Sequence, residues 1–151
     1  SAPLPAELLE CLTYISPNEH EAEDLTGIHI RHEGREVNVD DVKAAAAALQ
    51  AKGVDQVLIT LGSAGASLVK DGRFYHSSAV QGVKAVDPTA AGDSFVGAFC
   101  FATCSGMEIE DALCFANHTA ALTVSKMGAM PSLPTLAEVK ATLPEHLKNE
   151  V

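Results

Sequence analysis

Short β-rich runs alternate with helical runs along this chain, and that alternation confines it to an α/β architecture. Residues 11–15 form an apolar run closed by Ser16-Pro17 and read as a strand. Asn18 opens an acidic helix to about Leu25, stopped by Gly27. Residues 28–38 are polar, contain His29, His32 and Gly34, and read as a loop. Asp40 and Asp41 begin a helix that carries the alanine run as far as Gly53. Residues 57–61 are a β-rich strand ending at Gly62. Residues 67–70 and 73–76 flank Asp71-Gly72, a strong hairpin signal. A further short strand is expected at 83–86. Helices are expected from Ser94 to about Cys104, from Glu108 to about Lys126 and over 135–142, with Gly106, Gly128 and Pro144 as stops. The sheet should be mostly parallel. Residues 1–5 are a proline-containing lead-in to the first strand, and the strands are few for a doubly wound sheet. The chain therefore reads as half of a larger fold.

Composition narrows the function. At 151 residues, with 47% hydrophobic and 20% charged, the chain is globular and large enough for a real core. A formal charge of -10 argues against nucleic acid and against anionic membranes as partners. It leaves room for a nucleotide, because backbone amides and a bound cation neutralise phosphate locally. Cys11, Cys100, Cys104 and Cys114 make no CxxC pair. Cys100 and Cys104, four apart on a helix, read as buried thiols, which places the chain in a reducing, cytoplasmic compartment. Neither a signal-peptide pattern nor a long apolar run is present. His29 and His32 read as solvated loop residues rather than metal ligands.

One segment carries chemistry: Val86-Asp87-Pro88-Thr89-Ala90-Ala91-Gly92-Asp93-Ser94-Phe95-Val96-Gly97. Three small residues lead into an aspartate at a helix start. Bare amides there form a phosphate pocket. A carboxylate in the same turn can take a proton from an attacking hydroxyl. Phosphoryl transfer needs both devices. The competing explanation is a close helix–strand contact, with Asp93 merely favouring the positive helix end. Three other segments have ordinary explanations of their own. Asn18 with Glu21 is close to a capping box. Thr60-Leu61-Gly62-Ser63-Ala64-Gly65 after a strand suits a tight turn. Lys126 to Ser132 suits a helix C-terminus with a glycine stop.

Taken together, the chain resembles the ribokinase, or PfkB, family of carbohydrate kinases. The family signature D-T-x-[GA]-A-G-D-x-[FY] aligns with Asp87 to Phe95, with Pro88 where threonine is usual. The resemblance runs from about Ser16 to Leu133 and corresponds to the C-terminal half of a ribokinase-like three-layer fold. The sugar-binding half and lid have no counterpart. By resemblance, Asp93 is the catalytic base, and Ala90, Ala91 and Gly92 supply the anion hole. Asn18 and Glu21 match the family's N-x-x-E motif, which orients magnesium-bound water and the phosphates. Thr60, Gly62, Ser63 and Gly65 approach ATP, and Asn117 lies near the adenine. Asp87, Thr89, Thr123, Lys126, Gly128 and Ser132 would ring a potassium ion, an oxygen set that suits a hard cation.

The resemblance implies ATP-dependent phosphorylation of a sugar primary hydroxyl, with Mg²⁺ and K⁺ as cofactors and a sugar and ATP as small-molecule partners. Two alternatives stay open. One is a related kinase acting on a nucleoside, a phosphosugar, a keto-deoxy sugar acid or a vitamin. The other is a nucleotide-binding module without catalysis. The isolated chain is expected to be weakly active or inactive. An exposed strand edge would invite homo-oligomers.

Overall fold

The computed structural model describes residues 4–148. The described residues divide into two compact units, 4–76 and 77–148. The first is built on a four-stranded mixed sheet. A short helix α1 (Ala6–Leu9) precedes β1 (Tyr14–Ile15), so a helical turn stands between the proline-containing lead-in and the strand. β1 pairs parallel with β4 (Gln56–Thr60). β4 in turn pairs antiparallel with β5 (Ala66–Lys70), whose other neighbour is β6 (Arg73–Ser77). The parallel content is this one ladder. The antiparallel β4–β5 ladder follows from the turn at 61–65, and β5 and β6 are joined by the Asp71-Gly72 turn, where both residues have positive φ, at 49° and 71°.

Helix α2 (Glu19–Thr26) begins at a complete capping box: the Asn18 side chain accepts from the Glu21 amide, and the Glu21 carboxylate accepts from the Asn18 amide. Gly27 ends it in a left-handed conformation. The region read as a loop instead contains a hairpin, β2 (His32–Glu33) and β3 (Glu36–Val37). Its connection is Gly34-Arg35, and the positive φ of Gly34 makes the tight turn accessible. His29 and His32 are exposed, but each pairs with a carboxylate of α2: Glu23 at 2.9 Å and Glu19 at 2.6 Å. Helix α3 (Val39–Gln50) is capped by Asn38 and buries Val42, Ala45, Ala46 and Leu49 at helical spacing. These residues join Val57, Ile59 and Leu61 in the core of this unit.

The second unit is helical: α4 (Ala91–Cys104), α5 (Ile109–Val124) and α6 (Leu136–Thr142). α4 and α5 pack on each other, with Phe101 and Phe115 ring centroids 6.0 Å apart. No strand forms at 83–86. Val83 and Val86 are exposed, and the amides of Val86 and Asp87 donate to the Val124 carbonyl at the end of α5. Cys100 and Cys104 are exposed free thiols, not buried ones. The stripe that α4 hides is Phe95, Ala98, Phe99 and Ala102, and both cysteines fall off it. Among the described residues, no helix is long and apolar enough to cross a membrane.

Candidate functional site

In the first unit, two of the singled-out segments meet. Asn18 and Thr60 form a parallel bridge, and the Thr60 amide donates to the Pro17 carbonyl at 3.1 Å. The start of α2 thus sits beside the carboxyl end of β4, where ligands of α/β sheets gather. Beyond Thr60 the chain turns through a single 3₁₀ turn, Gly62–Ala64. Leu61 donates to the Gly65 carbonyl at 2.8 Å and closes the loop. Gly62 and Ser63 are exposed at its tip, while Gly65 is buried with φ of 100°. The capping box uses one oxygen of each side chain. Glu21 Oε1 and Asn18 Nδ2 bond no other described residue, and both residues are exposed. Capping therefore does not consume the groups that would face magnesium-bound water.

In the second unit, Asp87 organises the site. Its Oδ1 accepts from the Thr89 amide and its Oδ2 from the Gly128 amide, each at 2.9 Å. The Thr89 side chain first, then the amides of Gly128 and Thr89, hold its carboxyl below the usual carboxylate range. One side chain thereby ties the segment before α4 to the segment after α5. Pro88 removes a donor from this loop, yet Asp87 keeps both of its own.

The turn that follows is closed by the Ala91 amide donating to the Pro88 carbonyl at 3.2 Å. Ala90 is its third residue, with φ 62° and ψ 8°, a left-handed conformation that favours glycine. α4 starts immediately after it. The Ala91 amide is thus committed within the turn. No described residue accepts from the amides of Ala90, Gly92 and Asp93, and Gly92 and Asp93 are exposed. The Asp93 carboxylate stands in the first turn of α4, with the helix dipole in its favour.

Contacts link several of the residues expected around a monovalent cation. Asp87, Thr89 and Gly128 are linked as above, and the Lys126 amide donates to the Thr123 carbonyl at 3.2 Å. Ser132 is buried, and its hydroxyl donates to the Ala129 carbonyl at 2.6 Å, which leaves its lone pairs free. This donor set is all oxygen and fits a hard cation. Lys126 Nζ turns away, to Glu138 at 2.8 Å. Together with Thr135, this contact brings the Glu138 carboxyl down to about 2.

Asn117, expected near the adenine, has protein partners of its own. It is buried in α5, and its Nδ2 donates to the Ser77 carbonyl, the Ser77 hydroxyl and the Ser78 carbonyl at 2.9, 3.0 and 3.3 Å. These bonds pin residues 77–78 to α5. Sequence reasoning missed this role, and also the Lys126–Glu138 tie. The Thr135-x-x-Glu138 capping box was the readable signal for the second.

A sequence profile described as pfkB family carbohydrate kinase matches residues 2–136. The chain belongs to this family. It is 39% identical over 134 residues to the ribokinase of Haemophilus influenzae, covering 87% of this chain and 41% of that protein. Against the ribokinase of Staphylococcus aureus it is 40% identical over 137 residues, covering 90% and 43%. Among solved structures it is similar to Arabidopsis thaliana ribokinase complexed with ribose and ATP, with a TM-score of 0.83 and 37% identity, covering 91% of this chain and 43% of that one. It is also similar to a ribokinase II from E. coli in complex with ATP and Mg²⁺, with a TM-score of 0.73 and 29% identity, covering 90% and 40%. The fold is thus a portion of the ribokinase-like α/β fold, and the chain spans about two-fifths of the length of these relatives. The matched span includes the segment that Asp87 and the α4 turn organise.

Proposed function

We propose that this chain is the nucleotide side and the base of an ATP-dependent sugar kinase of the ribokinase type. The observation that carries the reading is the start of α4. An exposed carboxylate, Asp93, shares a helical turn with amides that no described residue uses. In the reaction, Asp93 takes the proton from a primary hydroxyl as that oxygen attacks the γ-phosphorus. The bond to the β–γ bridging oxygen breaks, and ADP leaves. The amides of Ala90, Gly92 and Asp93 face the charge that builds on the moving phosphoryl group. The Ala91 amide, held by Pro88, does not contribute.

Asn18 and Glu21 are the residues that would hold magnesium-bound water, and the exposed loop at Gly62 and Ser63 is where the nucleotide would approach. A bound magnesium ion would supply charge neutralisation at the phosphates. Potassium would sit among Asp87, Thr89, Thr123, Lys126, Gly128 and Ser132 and stiffen the turn through Thr89. Ribose is the favoured acceptor because the relatives at 39% and 40% identity are ribokinases. A related acceptor remains a second reading, favoured by similarity to a deoxyribokinase and to an aminoimidazole riboside kinase.

The isolated chain should bind ADP with Mg²⁺ and phosphorylate ribose weakly or not at all. Calorimetric titration with ADP and Mg²⁺ tests the first point, and absence of saturable binding at millimolar nucleotide refutes the reading. In a protein that also carries the rest of a ribokinase fold, Asp93→Asn should leave ADP affinity within about twofold. It should lower phosphoryl transfer by roughly 10²–10⁴-fold, the range for a lost general base. Unchanged turnover would instead favour the non-catalytic module.

A further inference from the structure

Little apolar burial holds the segment between α5 and α6. Met127, Met130 and Leu133 are 74%, 83% and 46% exposed, and Ser132 is the one buried residue of 126–136. α6 is anchored by contrast, with Val139 buried and Leu143 and Leu147 buried just beyond it. Polar ties therefore place the segment, and two of them leave it. The Gly128 amide donates to Asp87 Oδ2 at 2.9 Å, while Asp87 Oδ1 accepts from the amide of Thr89, the residue before the left-handed turn at Ala90. On the other side of Gly128, the Lys126 ammonium donates to Glu138 Oε1 at 2.8 Å. Glu138 Oε2 accepts from the Thr135 amide at 2.7 Å and the Thr135 hydroxyl at 2.9 Å. Lys126 and Glu138 are half-exposed, and a surface pair between two mobile side chains contributes little. This carboxylate is not mobile. It neighbours Val139 on the anchored helix, and both of its oxygens are engaged.

We propose that Glu138 is a positioning residue for the turn at Ala90, acting through Lys126, Gly128 and Asp87. It touches none of the groups that would meet nucleotide or acceptor. It fixes Lys126, two residues before Gly128, so that the Gly128 amide stays on Asp87 and Asp87 stays on Thr89. The same tie draws the Lys126 ammonium to α6 and away from the oxygens of Asp87, Thr89 and Ser132, where a positive charge would compete with a bound cation. That the turn holds a phosphoryl group rests on the kinase reading above; the link from α6 to the turn does not. The competing role for Glu138 is capping alone, in which it starts α6 and leaves the turn untouched.

Amide hydrogen exchange, followed by NMR on this chain without sugar, nucleotide or added metal, separates the two roles. Lys126→Met removes the tie and leaves the Thr135–Glu138 box in place. Thr135→Ala removes the hydroxyl from that box and leaves the tie. Lys126→Met should speed exchange of the Gly128 and Thr89 amides about three- to fivefold, as expected for a lost ion pair that holds a local structure. The amides of α6 should then change by less than about twofold. Thr135→Ala should do the converse, speeding the Glu138 amide and leaving Gly128 and Thr89 within about twofold. Lys126→Arg keeps a cation for Glu138 and should restore the parental rates. Unchanged exchange at Gly128 and Thr89 in Lys126→Met overturns the proposal. So does an equal acceleration of every amide in the second unit, since the substitution then acts on global stability, and so does failure of Lys126→Arg to restore the rates. Failure of the kinase reading would show separately, in the ADP titration.

Discussion

Ala90 offers a direct measurement of how much strain the candidate phosphate turn stores. Its φ of 62° lies in the left-handed region, and Asp71 is the one other non-glycine among the described residues with positive φ. An L-residue with a Cβ pays about 1–2 kcal/mol there. Glycine pays no such steric cost but gives back about 0.5–1 kcal/mol through the larger entropy of its unfolded chain. Ala90→Gly should therefore stabilise the protein by roughly 0.5–1 kcal/mol. For a chain of this size that is about 1–4 °C in Tm. Ala91→Gly makes the informative partner. Ala91 is the first residue of α4 in helical conformation, so the same change there should destabilise, by up to about 1 kcal/mol. Ala90→Val should be the worst of the three, because a β-branched side chain tolerates the left-handed region least. Circular dichroism melts of the three variants and the parent decide the matter. If Ala90→Gly lowers Tm, or if both glycine variants move it the same way, the turn is not strained as described.

Three further outcomes follow from individual contacts. Glu138 is held at about 2 by Lys126 and Thr135, well below its ordinary 4.5. A depressed carboxyl contributes stability above its unfolded value and loses it as pH falls through the folded one, so the α6 cap should weaken between about pH 4.5 and 2. An NMR titration of the Glu138 carboxyl should show this midpoint, and Lys126→Ala should raise it; a midpoint of 4 or above contradicts the contact. Asn117→Ala should cost about 1–3 kcal/mol by stranding the carbonyls of Ser77 and Ser78. Asn117→Asp should cost more, since a carboxylate would face those oxygens; urea midpoints equal to the parent for both would exclude the pinning role. Gly53→Ala should destabilise by about 2 kcal/mol or more, because φ is 103° and the new Cβ would lie 2.8 Å from Glu10 Cα. A Gly53→Ala variant with parental Tm would rule out that clash.

What could be read from the sequence is what is decided over three or four residues. The Asn18–Glu21 box, the Gly27 stop and the Asp71-Gly72 hairpin each rest on hydrogen bonds or dihedrals local to the segment, and each is present. The helix after the Ala90 turn was legible too, but it starts at Ala91 rather than Ser94, so Ala91, Gly92 and Asp93 lie in its first turn. The hairpin at 32–37 was missed because two-residue strands show no alternation, although Gly34-Arg35 carried its turn signal. Residues 83–86 misled for the converse reason. A short apolar run has no period of its own, and what fixes this one is a carbonyl at the end of α5, far along the chain.

The site divides along the same line. Asp93, Ala90 and Gly92 are local and the sequence names them, whereas the Ala91 amide that it also names is taken up by the Pro88 carbonyl. The role of Asn117 depends on Ser77 and Ser78, about forty positions away, and its composition gives no hint of where its amide points. Asp87 lies between the two cases. Its bond to Thr89 is a short turn that any reader of the motif would draw, whereas its bond to Gly128 exists only because α4 and α5 bring two distant loops to one carboxylate. That second bond gives the proposed phosphate turn a defined neighbour. Fold-level packing, rather than motif spelling, therefore determines what lies beside the turn at Ala90.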